Sequence, residues 1–110
     1  MKMKMMMTTA YAFLMFGGLV TFGLAEMTGS KTGEELFKEN CAICHPDGGN
    51  IINPPKGLRK ADLEANQIMT KSDIVEKMRH PGKGMSTWSA ATLPDSDAEA
   101  IADYILKTFR

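Results

Sequence analysis

The sequence predicts a small all-α fold of about four helices, and three observations carry that expectation. Apolar residues recur at spacings of three and four instead of alternating. Two Ser/Thr-x-x-Glu signatures stand where helices should begin. No run rich in β-branched residues competes with the helical pattern. The chain of 110 residues is enough for one domain.

The first helix is predicted from the capping box Thr32-Gly33-Glu34-Glu35 to about Cys44, with Phe37, Cys41 and Cys44 on one face. Pro46–Asn50 should stop it, and Asn53-Pro54-Pro55-Lys56-Gly57 should delay the next element. A short helix fits residues 61–66. Ser72 is placed to cap a helix through about Arg79 that buries Ile74, Val75 and Met78. Pro81-Gly82-Lys83-Gly84 opens a loop reaching Leu93. The last helix starts near Asp95 or Ser96, where Ser96-x-x-Glu99 forms a second box. Its core stripe is Ala98, Ile101, Ala102, Ile105 and Phe109, with Tyr104 beside them.

Residues 1–25 read as a signal peptide. Lys2 and Lys4 precede a charge-free apolar run, and Gly23-Leu24-Ala25 offers a small-residue cleavage site that leaves Glu26 first. Retention as a membrane anchor is the competing reading, since the run approaches the ~20 residues a spanning helix needs. Residues 26–31 form a flexible lead-in and residues 32–110 the domain. The whole chain has a formal charge of +0. Loss of two lysines leaves eleven basic residues against thirteen acidic, or −2. No basic excess points to nucleic acid. A mature chain this small needs a staple beyond its own core.

Cys41-Ala42-Ile43-Cys44-His45 is the attachment sequence for c-type haem. Two thiols three residues apart project the same way, so each can add across one vinyl group of a single porphyrin. The next residue, His45, then faces the iron. A thioredoxin-like disulfide between the cysteines lacks the βαβ pattern it needs. A zinc site from Cys41, Cys44, His45 and His80 lacks a second close ligand pair. For the iron position opposite His45 the candidates are Met85, His80, Met78 and Met69. Met85 sits in a glycine-rich loop that can aim a side chain, whereas Met78 fits a core stripe.

With these residues in view the sequence resembles the class I cytochromes c, and most closely their c6-type soluble members. Gly33, Phe37 and Cys41 recur at spacings of four, and Tyr104 with Ile101 matches the terminal-helix aromatic that crosses that glycine. Gly48–Leu58 and Leu63–Asn66 are similar to the loop and short helix after the c6-type haem site. The resemblance spans most of residues 32–109 and implies a small class I fold of about four helices around one covalently bound haem c. It implies thioether links at Cys41 and Cys44, His45 as proximal and Met85 as distal iron ligand. It also implies a backbone carbonyl of the Asn50–Pro54 loop receiving the His45 Nδ1 proton. Ser86 and Thr87 depart from the usual proline after the methionine, and His80 replaces a usual amide.

The expected function is a periplasmic one-electron carrier and not an enzyme, monomeric, with iron cycling between Fe(III) and Fe(II). Its partners are redox proteins met in transient complexes, with no nucleic acid and no stable membrane insertion once the leader is cleaved. Lys56, Arg59, Lys60 and Lys83 are candidates for the exposed haem edge or for pairing the propionates. The alternatives are a haem sensor or peroxidase-like protein with a dissociable Met85, and a membrane-anchored redox domain.

Overall fold

The computed structural model describes residues 31–110. The expected signal peptide at 1–25 and most of the expected lead-in lie outside the described residues. Four helices follow in order: α1 (Gly33–Asn40), α2 (Lys60–Ala65), α3 (Lys71–Arg79) and α4 (Asp95–Thr108). Two single 3-10 turns, Pro46–Gly48 and Pro54–Lys56, fill the segment between α1 and α2. The all-α expectation is borne out: no strand occurs among the described residues.

α1 begins as its sequence dictates. The Thr32 hydroxyl accepts the Glu35 amide at 3.2 Å, and the Glu35 carboxylate accepts the Thr32 amide at 2.8 Å. It ends four residues earlier than expected. The Cys41 and Ala42 amides both donate to the Phe37 carbonyl, at 2.8 and 3.0 Å, so the chain leaves α-helical register at Cys41. The segment from Cys41 to Cys44 is therefore a turn, not the last turn of a helix.

Two further caps differ from expectation. α3 is capped by Thr70, whose hydroxyl accepts from the Asp73 amide at 3.1 Å while Asp73 accepts from the Thr70 amide at 3.0 Å. The box Thr70-x-x-Asp73 uses the shorter acid and leaves Ser72 inside the helix. These bonds hold the Asp73 carboxyl below its ordinary range, led by the Met69 amide and then by Thr70. α4 has Pro94 at its N-cap with no side-chain cap, so the Ser96–Glu99 box does not form. Asp95 and Asp97 sit in the first turn, where negative charge complements the helix N-terminus. α2 runs one residue ahead of its expected bounds.

α4 packs against both α1 and α3. At the first crossing a Cβ on Gly33 would overlap the Ala100 carbonyl and stand 3.2 Å from the Tyr104 Cβ, so this close approach requires glycine. Phe37, Tyr104 and Phe109 close this end with ring centroids 5.3–5.8 Å apart. Gly48 has φ +77, and a Cβ there would stand 2.6 Å from the Phe109 ring. The remaining core is thin: Leu36, Leu63 and Leu93 join the predicted Ile74, Met78, Ala98, Ile101, Ala102 and Ile105. Val75 and Phe109 are only partly buried.

Candidate functional site

The turn after α1 presents the site. The Cys44 and His45 amides donate to the Cys41 carbonyl at 3.1 and 2.9 Å, which folds the five-residue motif into one compact loop. His45 is the buried polar side chain among the described residues, with 9% exposure. Its Nδ1 lies 2.7 Å from the Gly49 carbonyl oxygen. A carbonyl only accepts, so Nδ1 carries the proton and Nε2 keeps a free lone pair. The acceptor lies one residue before the expected Asn50–Pro54 loop. The 3-10 turn at Pro46–Gly48 doubles the chain back, so the first available carbonyl is that of Gly49.

The loop beyond it is braced by Asn50. Its Oδ1 accepts from the Ile52 and Asn53 amides at 3.0 and 2.8 Å, and its Nδ2 donates to the Lys56 carbonyl at 3.1 Å. The Leu58 amide donates to the Gly48 carbonyl at 2.6 Å and the Ile51 amide to the Cys44 carbonyl at 3.0 Å. The backbone behind His45 is thereby fixed from both sides.

Cys41, Cys44, His45 and Met85 share the lining of one cavity of about 440 Å³. That size falls in the range of about 300–1,000 Å³ usual for small-molecule and cofactor sites. Leu63, Ile74, Met78, Leu93 and Ile105 make its apolar wall. Burial pushes the Cys41 thiol up to about 11. At neutral pH the free sulfur is therefore a protonated thiol. A largely apolar cavity lined by two nearby thiols and one imidazole fits a covalently attached haem.

The glycine-rich loop after α3 also reaches this cavity. Gly82, Lys83, Gly84, Met85 and Ser86 line it, with Gly84 at φ +88 and Met85 38% exposed. His80 is turned outward: its side chain is 76% exposed and its Nδ1 lies 2.7 Å from a Glu76 carboxylate oxygen. Met78 is buried in the core as well as touching the cavity, and Met69 stands 61% exposed away from it.

Of the four cations named from sequence, Lys56 and Lys83 line the cavity. Lys60 faces Glu64 at 3.9 Å, and Arg59 reaches the Asp47 carbonyl at 3.4 Å instead. Sequence reading missed Lys77, which lines the cavity on α3 between Ile74 and Met78. It also missed Arg79. That guanidinium donates from Nη1 to the Trp88 and Leu93 carbonyls, each at 2.8 Å, and from Nη2 to an Asp95 carboxylate oxygen at 2.7 Å.

A cavity bounded by this motif within an all-α frame defines a monohaem protein of the c type. The pattern of the family described as "Cytochrome C oxidase, cbb3-type, subunit III" matches residues 29–105. Cytochrome c6 of Cyanidium caldarium is 42% identical over 74 residues, which cover 67% of this chain and 66% of that one. Cytochrome c6 of Bumilleriopsis filiformis is 41% identical over 69% of this chain and 87% of its own length. The solved structure of the outer membrane cytochrome OmcF from Geobacter sulfurreducens superimposes with a TM-score of 0.69. It is 44% identical and covers 71% of this chain and 99% of that one.

The chain belongs to the class I cytochromes c, and within them to the c6 type. Its cofactor is one covalently bound haem c. The family is one of small monohaem electron carriers. No described helix is long and apolar enough to cross a membrane.

Proposed function

We propose that the protein is an exported, periplasmic one-electron carrier with the haem linked through Cys41 and Cys44 and the iron held by His45 and Met85. The observation that carries this reading is the buried His45 ring, its Nδ1 proton engaged by Gly49 in the wall of a cavity that the Met85 loop also lines. When bound, the haem supplies a single Fe(III)/Fe(II) couple. The Gly49 carbonyl orients the imidazole and makes Nε2 more basic. A Met85 thioether favours the reduced state more than a second imidazole would. Leu63, Ile74, Met78 and Leu93 keep water off the site. Ligation on both sides leaves no place for a substrate, so the chain transfers electrons without transforming a bound molecule. Residues 1–25 act as the cleaved export leader.

The ligand assignment is tested by a pair of substitutions. Met85→Ala is expected to remove the weak sulfur-to-iron charge-transfer band at the red end of the ferric spectrum. The reduced protein should then bind carbon monoxide, and the reduction potential should fall. His80→Ala should leave all three readings at wild-type values, because its ring faces Glu76 and solvent. Loss of low-spin character in His80→Ala would overturn the assignment.

Partner choice should depend on charge at the cavity mouth. Lys56, Lys77 and Lys83 line it, and none forms an ion pair among the described residues. The exposed Ile43 and Ile52 line the same cavity and provide an apolar contact surface. A redox partner with an acidic face fits this rim. Its second-order electron-transfer rate should fall as ionic strength rises, and Lys77→Glu/Lys83→Glu should flatten that dependence. A rate that rises with salt would contradict the basic docking face.

A further inference from the structure

We propose that Arg79 is a positioning residue for the distal loop, its guanidinium latching the Trp88 and Leu93 carbonyls so that Met85 stays on the cavity wall. The inference rests on the reading of Met85 as the distal ligand. Residues 82–87 are all exposed, and two of them are glycines. The Trp88 amide donates to the Met78 carbonyl at 2.8 Å, and among the described residues this is the backbone bond that ties this stretch to α3. A loop so sparsely bonded takes its stiffness from its ends. Arg79 supplies that at both: it leaves the last turn of α3, grips the carbonyl three residues after Met85, and grips a second at the buried Leu93 where the loop rejoins the core.

The bonds differ in weight. Asp95 is 78% exposed and its ion pair with Arg79 works in water, where such pairs contribute little. The Arg79 side chain is only 14% exposed, and its two carbonyl bonds are shielded by the loop itself. A planar fork with several fixed N–H groups reaches two carbonyls and a carboxylate together, which the point charge of lysine does not reproduce. Removal of the guanidinium strands the Trp88 and Leu93 carbonyls, and their solvation competes with the closed loop.

The test is made on the full holoprotein. Arg79→Met keeps the side chain's length and removes its donors. Haem content should remain at wild-type levels while the charge-transfer band weakens. Carbon monoxide should bind the reduced protein about tenfold faster or more. Amide hydrogens of residues 82–88 should exchange faster, with α1 and α2 amides unaffected. Asp95→Asn should stay near wild type in every reading, and Arg79→Lys should fall between. If Arg79→Met yields too little holoprotein, Arg79→Lys carries the same readings with a smaller displacement. A band that vanishes in Met85→Ala but is unchanged in Arg79→Met, with unchanged loop exchange, overturns the latch alone. A band that persists in Met85→Ala overturns the ligand assignment, and the inference about Arg79 falls with it.

Discussion

Replacing Cys41 and Cys44 together by alanine is expected to abolish accumulation of the folded protein. Ten apolar side chains make the buried core, and five of the ten, Leu63, Ile74, Met78, Leu93 and Ile105, also line the cavity of about 440 Å³. Those walls have too few partners of their own without a covalently held group between them. Small domains with so little core depend on such a staple. Stability losses of 1–2 kcal/mol already change cellular abundance several-fold, so the yield should fall at least roughly tenfold. Each single variant retains one thioether and should give an intermediate yield. Intact mass of the periplasmic product is the measurement. Wild type should match a chain beginning at Glu26 plus one haem, and the double variant should leave no such species. A double variant that melts cooperatively at the wild-type temperature without haem would refute the argument.

Gly33→Ala should carry the second large effect, on stability and not on chemistry. The added Cβ meets the Ala100 carbonyl, a backbone group that α4 cannot move without shifting Ile101 and Ala102 in the core. Overpacking of this kind costs about 1–3 kcal/mol and occasionally more. The gain in helix propensity from glycine to alanine, about 1 kcal/mol at most, offsets part of it. A net loss of up to about 2 kcal/mol lowers the melting temperature of a domain this size by up to roughly 8–16 °C. Thermal melting of the oxidised holoprotein followed by circular dichroism gives the answer. Gly33 stands at the opposite end of α1 from Cys41, so the ferric spectrum of the folded variant should match wild type. An unchanged or raised melting temperature would show that the α1–α4 crossing tolerates a side chain.

Local chemistry made much of this molecule legible in advance. The Thr32–Glu35 box, the α4 stripe and the Cys41–His45 motif each depend on residues within a few positions of one another. Where two local signals competed, reading failed. Thr70-x-x-Asp73 and Ser72 both offered a cap for α3, and the pair able to bond reciprocally prevailed. At α4, Pro94 and two first-turn aspartates replaced the serine box. The end of α1 was obscure because Cys41 and Cys44 fit helical spacing as well as they fit a turn. Lys77 and Arg79 were hidden for a different reason. Lys77 matters through which side of α3 meets the cavity, and Arg79 through carbonyls 9 and 14 residues further on. Backbone acceptors leave no mark on residue type.

The Gly33–Ala100 crossing also bears on the order of events. The first helix finds its partner only in the last, with the whole haem-attachment segment and distal loop lying between them. In a chain delivered from its amino terminus, Cys41, Cys44 and His45 emerge well before α4 exists to close over them. During that interval the thiols are open to solvent, and the burial that raises the Cys41 pKa has not yet occurred. Loop-closure entropy for so distant a contact further delays the final docking. On the proposed attachment at Cys41 and Cys44, this topology would leave the site open until α4 docks on α1.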